Sequence, residues 1–398
     1  MEEYPILRKL SYQTPGTDER EFRRRIDSPS CVTLSFPIGD FSMFYVVTAS
    51  MTLKVEAISQ MANEIQKNMN LLPSIVMNRY VRLLIADETV ATNDIEGIYS
   101  TRKEALAAYD ANENANIRLS SLVHLLASLA DNPEKLALRT PADIRTIYDE
   151  VTEGEVDKAD APDGKLFRAQ PVQVIAASQK VIHTGFQPEQ KIMAGLETML
   201  QELADPSASH VISAIIAHLM FEIVHPFYDG NGRTGRFILA RKLAELGWPL
   251  TALSVSARIN QNKNSYYKQF IEVEHPLNRG EVTHFVVFFL DLICDAQRDI
   301  LNQLEVALKS LLTVQRRLDT FDADNDCSTI LWILAQAELF SGGTAMERRE
   351  LEHYVERSTP TINRHIKHLV EEGWVEVVSQ RPVTMRLSEE SMSRLGLR

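Results

Sequence analysis

The chain has 398 residues, with 42 Lys and Arg against 54 Asp and Glu, a formal net charge of −12 at pH 7. At 44% hydrophobic and 24% charged it holds material for two to three domains of about 150 residues each. The acidic balance excludes a protein whose whole surface grips nucleic acid or anionic lipid, and 16 Gly with 16 Pro exclude collagen and low-complexity sequence.

The opening residues, Met1-Glu-Glu-Tyr-Pro, put acids where a secretory signal has its basic region, and no apolar run follows. The longest apolar stretches, such as 283–290, are too short to span a bilayer. Cys31, Cys294 and Cys327 are far apart and odd in number, which suits a reducing compartment and neither a disulfide framework nor a zinc site. These features together predict a cytoplasmic protein with no membrane partner.

In chain order, the β-branched and aromatic runs 30–37 and 44–48 predict short extended segments. Helical spacing takes over with Val55, Ile58, Met61, Ile65 and Met69, so 1–75 reads as a mixed N-terminal segment. Helices are then predicted near 76–96, 101–112, 116–131, 141–152, 188–204, 207–224, 233–246, 262–272 and 280–313, a helical domain over 76–313. One gap interrupts it. Val172–Ile175 and Val181–Ile182, with Gly185, predict a β-hairpin whose free edge a partner chain can pair with. A charged, turn-forming stretch over 316–326 marks a boundary. Beyond it, 325–398 reads as three helices and two short strands, the winged-helix pattern. The fold class is therefore mainly α, with a hairpin flap and a C-terminal winged-helix domain.

The chemistry lies in His225-Pro-Phe-Tyr-Asp-Gly-Asn-Gly-Arg-Thr-Gly-Arg236. Pro226 disfavours a helical conformation at His225 and so ends the preceding helix there. Loop glycines then feed a new helix, whose first N–H groups lack partners and whose dipole favours anions. Arg233 and Arg236, three apart, project near the same helix end, and two guanidiniums beside free amides form a polyphosphate cradle. Asp229 offers one carboxylate at its rim, which suits magnesium shared with substrate phosphates. A neutral His225 beside the phosphates is the general base.

This segment resembles the signature of the Fic family, His-Pro-Phe-x-Asp/Glu-Gly-Asn-Gly-Arg-x-x-Arg, at every defined position. The resemblance implies a helical enzyme that transfers AMP from ATP to a Ser, Thr or Tyr hydroxyl of a protein, itself included. It implies that His225 deprotonates the hydroxyl and that Asp229 holds Mg2+. Gly230, Asn231 and Gly232 would surround the phosphates of ATP, Arg233 and Arg236 would bind them, and Phe227 would anchor the loop in the core. Related Doc-type kinases carry Lys where this chain has Gly232, which favours nucleotidyl transfer.

Thr92-Asn-Asp-Ile-Glu-Gly97 resembles the family's inhibitory motif, placed upstream of the signature. It implies that Glu96 pairs with Arg236 and blocks the γ-phosphate, with Gly97 as a helix C-cap. In some members the same glutamate instead orients a water that removes AMP, so a de-AMPylating enzyme is the alternative reading. Tyr266 and Tyr267 fall where family members carry aromatics near the adenine or target groove; the other reading packs one of them in the core. His218, on the helical face of His225, reads as a hydrogen-bonded core histidine.

In the tail, Ile362, Ile366 and Leu369 face inward and leave Thr361, Arg364, His365, Lys367 and His368 to contact phosphate or bases. DNA is thus one candidate partner and another protein the second, because 325–398 holds nine basic against eleven acidic residues. A DNA-binding regulator whose core senses nucleotide is the remaining function reading. A dimer is compatible with the sequence, which does not fix the oligomeric state.

Overall fold

Helix starts are written into the chain by local capping. Thr101 accepts from the Glu104 amide while Glu104 reaches back, and Thr140 does the same with Asp143 ahead of Pro141. The computed structural model describes residues 4–13, 16–111, 117–175, 181–320, 325–355 and 357–397. Helices dominate it, as the sequence predicts, and contacts divide it into two units. One comprises Met1–Gln60 and Ile85–Gln297, the other Met61–Leu84 and Arg298–Arg398. The sequence-derived limits at 75 and 313 lie inside the continuous helices Ser74–Ile95 and Thr283–Leu318.

In the first unit the extended runs pair as an antiparallel hairpin, Cys31–Ile38 with Phe41–Val46. Two helices, Leu7–Ser11 and Thr17–Ile26, precede it, in a stretch for which the sequence singles out no element. The second of these has Asp18 and Glu19 in its first turn and three arginines in its last, the order the helix dipole favours. Its Arg25 is buried in a 2.6 Å pair with Glu281.

The helix that carries the site is His210–Val224. It is apolar nearly all round and almost wholly buried, as a helix must be when neighbours cover every face. The helices Glu189–Ala204 and Asn231–Glu245 pack against it. The predicted hairpin is present as Gln173–Ile175 paired antiparallel with Val181–Thr184; its connection, 176–180, lies outside the described residues.

The second unit has its own apolar core, including Ile330, Leu334, Leu351, Ile362, Leu369, Met385 and Leu387. Helices Asn325–Glu338, Arg348–Val355 and Thr359–Glu371 come first. Strands Val375–Gln380 and Val383–Leu387 follow, joined by the two-residue strand Met346–Glu347 in one antiparallel sheet. One tail expectation is corrected. His365 is buried, its Nδ1 3.4 Å from the Cys327 sulfur, whereas Arg364, Lys367 and His368 are exposed. His365 lies three residues after Ile362 and four before Leu369, which places it on the buried stripe. Among the described residues no helix is long and apolar enough to cross a membrane.

Candidate functional site

His225 follows the last turn of the core helix in a left-handed conformation, φ 49°, with its amide donating to the Phe221 carbonyl at 2.9 Å. Its Nδ1 lies 3.3 Å from the Glu222 carbonyl. A neutral ring donating there keeps its lone pair at Nε2. Burial, helped by His183, pushes the imidazole down to about 3, so the neutral form persists at physiological pH. His218, two helical turns earlier, is fully buried and 3.2 Å from the Tyr266 hydroxyl, a core histidine as predicted.

The loop turns through Gly230, φ 80°, into the helix Asn231–Glu245. A side chain at Gly230 would also strike Thr152, so only glycine satisfies both the angle and the space. Asn231 spends its amide on the loop itself, accepting from Phe227 N at 2.9 Å and donating to Phe227 O at 2.8 Å. The Phe227 ring stacks on Tyr148, centroids 3.6 Å apart, which anchors the loop in the core. Asp229 is exposed at the rim, with one carboxylate oxygen 2.6 Å from the Gly230 amide. The described residues include no cluster of three His, Cys, Asp or Glu fit to hold a metal ion. A divalent cation at Asp229 would therefore need phosphate oxygens as further ligands.

Arg236 is buried with all three of its nitrogens engaged. Its Nη1 is 2.7 Å from Glu96 Oε1, its Nε 3.0 Å from Thr92 Oγ1 and its Nη2 3.0 Å from Thr92 O. Thr92 and Glu96 are one helical turn apart and therefore share a face, which explains their spacing. The helix Ser74–Ile95 closes with Gly97 at φ 74°, its amide on Asp94 O and the Ile98 amide on Asn93 O. The Glu96 amide turns to Asn93 O, and the released Thr92 carbonyl accepts from Arg236 instead. Burial alone would lower the Arg236 pKa, but Glu96 raises it. The Glu96 carboxylate stands over Gly232, where any Cβ would collide with it; a carboxylate thus occupies the mouth of the predicted anion hole.

Three groups escape a motif reading. Arg168, buried, donates to the carbonyls of His225, Gln170 and Phe186 at 2.7–2.8 Å, and so joins the histidine to both ends of the hairpin. His183, on the second hairpin strand, bonds Glu274 at 2.8 Å, with its ring centroid 5.7 Å from that of His225. Glu155 pairs with buried Arg233. Neither Arg168 nor Glu155 belongs to a motif singled out in the sequence. The aromatic pair separates: Tyr266 is buried among Phe270 and Phe289, whereas the half-exposed Tyr267 donates to Ile95 O at 2.8 Å. Tyr266 thus goes to the core rather than to a groove.

Residues 139–243 match the sequence model of the Fic/DOC family. The chain is 28% identical over 141 residues to Protein adenylyltransferase Fic of Drosophila yakuba, covering 34% of this chain and 27% of that protein. To the Drosophila ananassae protein of the same name it is 29% identical over 126 residues, 30% of this chain and 24% of that one. The chain spans about a quarter of the length of these curated relatives. Its fold is similar to a Fic family protein from Desulfovibrio desulfuricans, TM-score 0.54 at 20% identity over 87% of this chain and 98% of that one. It is also similar to Fic-1 from C. elegans, TM-score 0.50 at 21% identity over 77% and 82% of the two chains.

Proposed function

From the Fic/DOC domain that this chain carries, we propose that it is a protein adenylyltransferase braked by its own Glu96. The observation that carries the reading is the placement of Glu96 on Arg236, beside the loop glycines and one turn from the His225 loop. An arginine shaped for phosphate is already held by an anion from the same chain. ATP would lie along the start of the helix Asn231–Glu245, with its phosphates against the loop and Arg233. Asp229 would hold Mg2+, which neutralises phosphate charge when bound.

His225 Nε2 takes the proton of the target hydroxyl as that oxygen bonds to the α-phosphorus. The bond from the α-phosphorus to the bridging oxygen breaks, and pyrophosphate leaves. Arg168 and the Glu222 carbonyl hold the histidine backbone and ring during this step. The hairpin Gln173–Thr184 offers a strand edge to the target segment. Removal of AMP is a second reading, favoured by the partial exposure of Glu96, 28%, which leaves it able to orient a water.

The test is transfer of α-labelled ATP to protein with magnesium, self-labelling included, for wild type and Glu96→Gly with His225→Ala as blank. Weak transfer in wild type and strong transfer in Glu96→Gly is expected. No transfer by either form to itself or to lysate would sink the transferase reading. Release of AMP from a modified target would favour the second.

A further inference from the structure

The two phosphate arginines are held in opposite ways. Arg236 has all three nitrogens engaged, by Thr92 and Glu96. Arg233 is equally buried, yet only its Nη1 is paired, to Glu155. Its Nε and Nη2 have no hydrogen-bond partner among the described residues. Those two atoms form the flat edge with which a guanidinium meets two oxygens of one phosphate or carboxylate. Buried donors without an acceptor are costly, and an anion bound across that edge removes the cost.

Glu155 holds Arg233 with one oxygen only, and its other oxygen has no hydrogen-bond partner among the described residues. It lies in the turn after the helix Pro141–Val151, its amide donating to Thr152 O at 3.0 Å, and its side chain is only 11% exposed. Its second oxygen is 3.8 Å from Arg118 Nε. Arg118 Nη2 in turn donates to the Tyr99 carbonyl at 2.7 Å, three residues beyond Glu96. A chain of contacts therefore runs from the segment after the inhibitory helix to the unblocked arginine.

We infer that Glu155 is a positioning residue for the polyphosphate of the nucleotide: it pins one end of Arg233 so that the Nε–Nη2 edge is presented to phosphate oxygens. The inference rests on the nucleotide-transfer reading and assigns to Glu155 a task opposite to that of Glu96. One carboxylate withholds an arginine from phosphate and the other aims one at it.

The experiment uses the full chain carrying Glu96→Gly, with Glu155→Gln, Glu155→Ala and Glu155→Asp added singly. Binding of ATP with magnesium is measured by calorimetry, and kcat and KM for ATP are measured by label transfer. Glu155→Gln and Glu155→Ala are expected to raise Kd and KM for ATP about 10-fold with kcat within about threefold. Glu155→Asp should recover part of the affinity, which a purely structural role would not produce. Arg118→Ala, which loosens Glu155 from the far side without touching Arg233, should raise Kd about threefold and serves if the Glu155 variants misfold. Unchanged or tighter ATP binding in the folded variants would overturn the inference, and a gain of transfer in Glu155→Ala with Glu96 intact would make Glu155 a second brake. Loss of ATP affinity without label transfer by any form would retain the positioning role and reject the transferase reading.

Discussion

The two units of this protein bury very different things. Among the described residues, the unit that carries the signature buries five arginines: Arg25, Arg168, Arg233, Arg236 and Arg241. The other, again among the described residues, buries one, Arg79, paired with Glu350, around a core that is mostly apolar. A buried charge is a poor way to gain stability, because its desolvation rivals what its partner returns. Apolar side chains hold the second unit together without that cost. Three of the first unit's arginines, Arg168, Arg233 and Arg236, lie around the His225 loop, where the proposed transfer would use fixed cations. Charge burial is therefore concentrated around the loop of the proposed site.

The comparison is broken most severely by changes at the base. His225→Ala should lower label transfer about 10²–10⁴-fold with ATP affinity retained, measured in the Glu96→Gly background. Loss of ATP binding along with transfer would mean that the histidine holds the nucleotide rather than the proton. Phe227→Ala should cost about 3–5 kcal/mol in a denaturant titration, because the ring that pins the loop is fully buried on Tyr148. In the second unit, Leu334→Ala should cost about 2–5 kcal/mol of stability yet leave the Kd for ATP unchanged. An equal loss of ATP affinity there would erase the contrast between the units.

A smaller effect concerns pH. Burial pushes Glu222 up to about 8 despite Arg236, and Glu96 adds to the rise. The folded state thus keeps a proton that the unfolded state sheds above about 4.5, and the stability this gives fades as pH rises through 8. His218 and His225 act in the other direction. Burial holds both near 3, so their contribution is complete above about 6.5 and is lost as pH falls toward 3. Thermal unfolding at pH 6 and 9 should show a smaller alkaline loss for Glu222→Gln than for wild type. An identical loss would place the titrating group elsewhere. The smallest effect is expected at Arg364, exposed on the helix Thr359–Glu371. Its replacement by Ala should change stability by no more than about 0.5 kcal/mol.

What the sequence made legible was whatever is contiguous along the chain. The loop Pro226–Gly232 could be read because its turn and the helix start follow one another, whereas Thr92 and Glu96 are reached through the resemblance of 92–97 to a family motif. Arg168 and Glu155 could not, since each acts on residues tens of positions away through contacts that leave no spacing. The same holds for His183 with Glu274. Tyr266 and Tyr267 show a different limit: neighbours on a helix point about 100° apart, so one enters the core and the pattern alone does not choose. His365 was readable in principle, because its offsets from Ile362 and Leu369 are those of the buried stripe. The helices Leu7–Ser11 and Thr17–Ile26 are short and polar, with only two apolar residues each to mark a buried face.

The amide clamp of Asn231 on Phe227 also bears on how the protein ages. Asn231 is followed by Gly232, a pairing prone to spontaneous deamidation because the unhindered glycine amide can attack the side-chain carbonyl and close a succinimide. Here both ends of the Asn231 amide are hydrogen-bonded, and its backbone is the first residue of a helix. The ring closure needs the side chain released and the helix start unwound. The fold therefore shields this bond with the same contacts that shape the loop, and conversion to aspartate or isoaspartate at this position would record time spent unfolded.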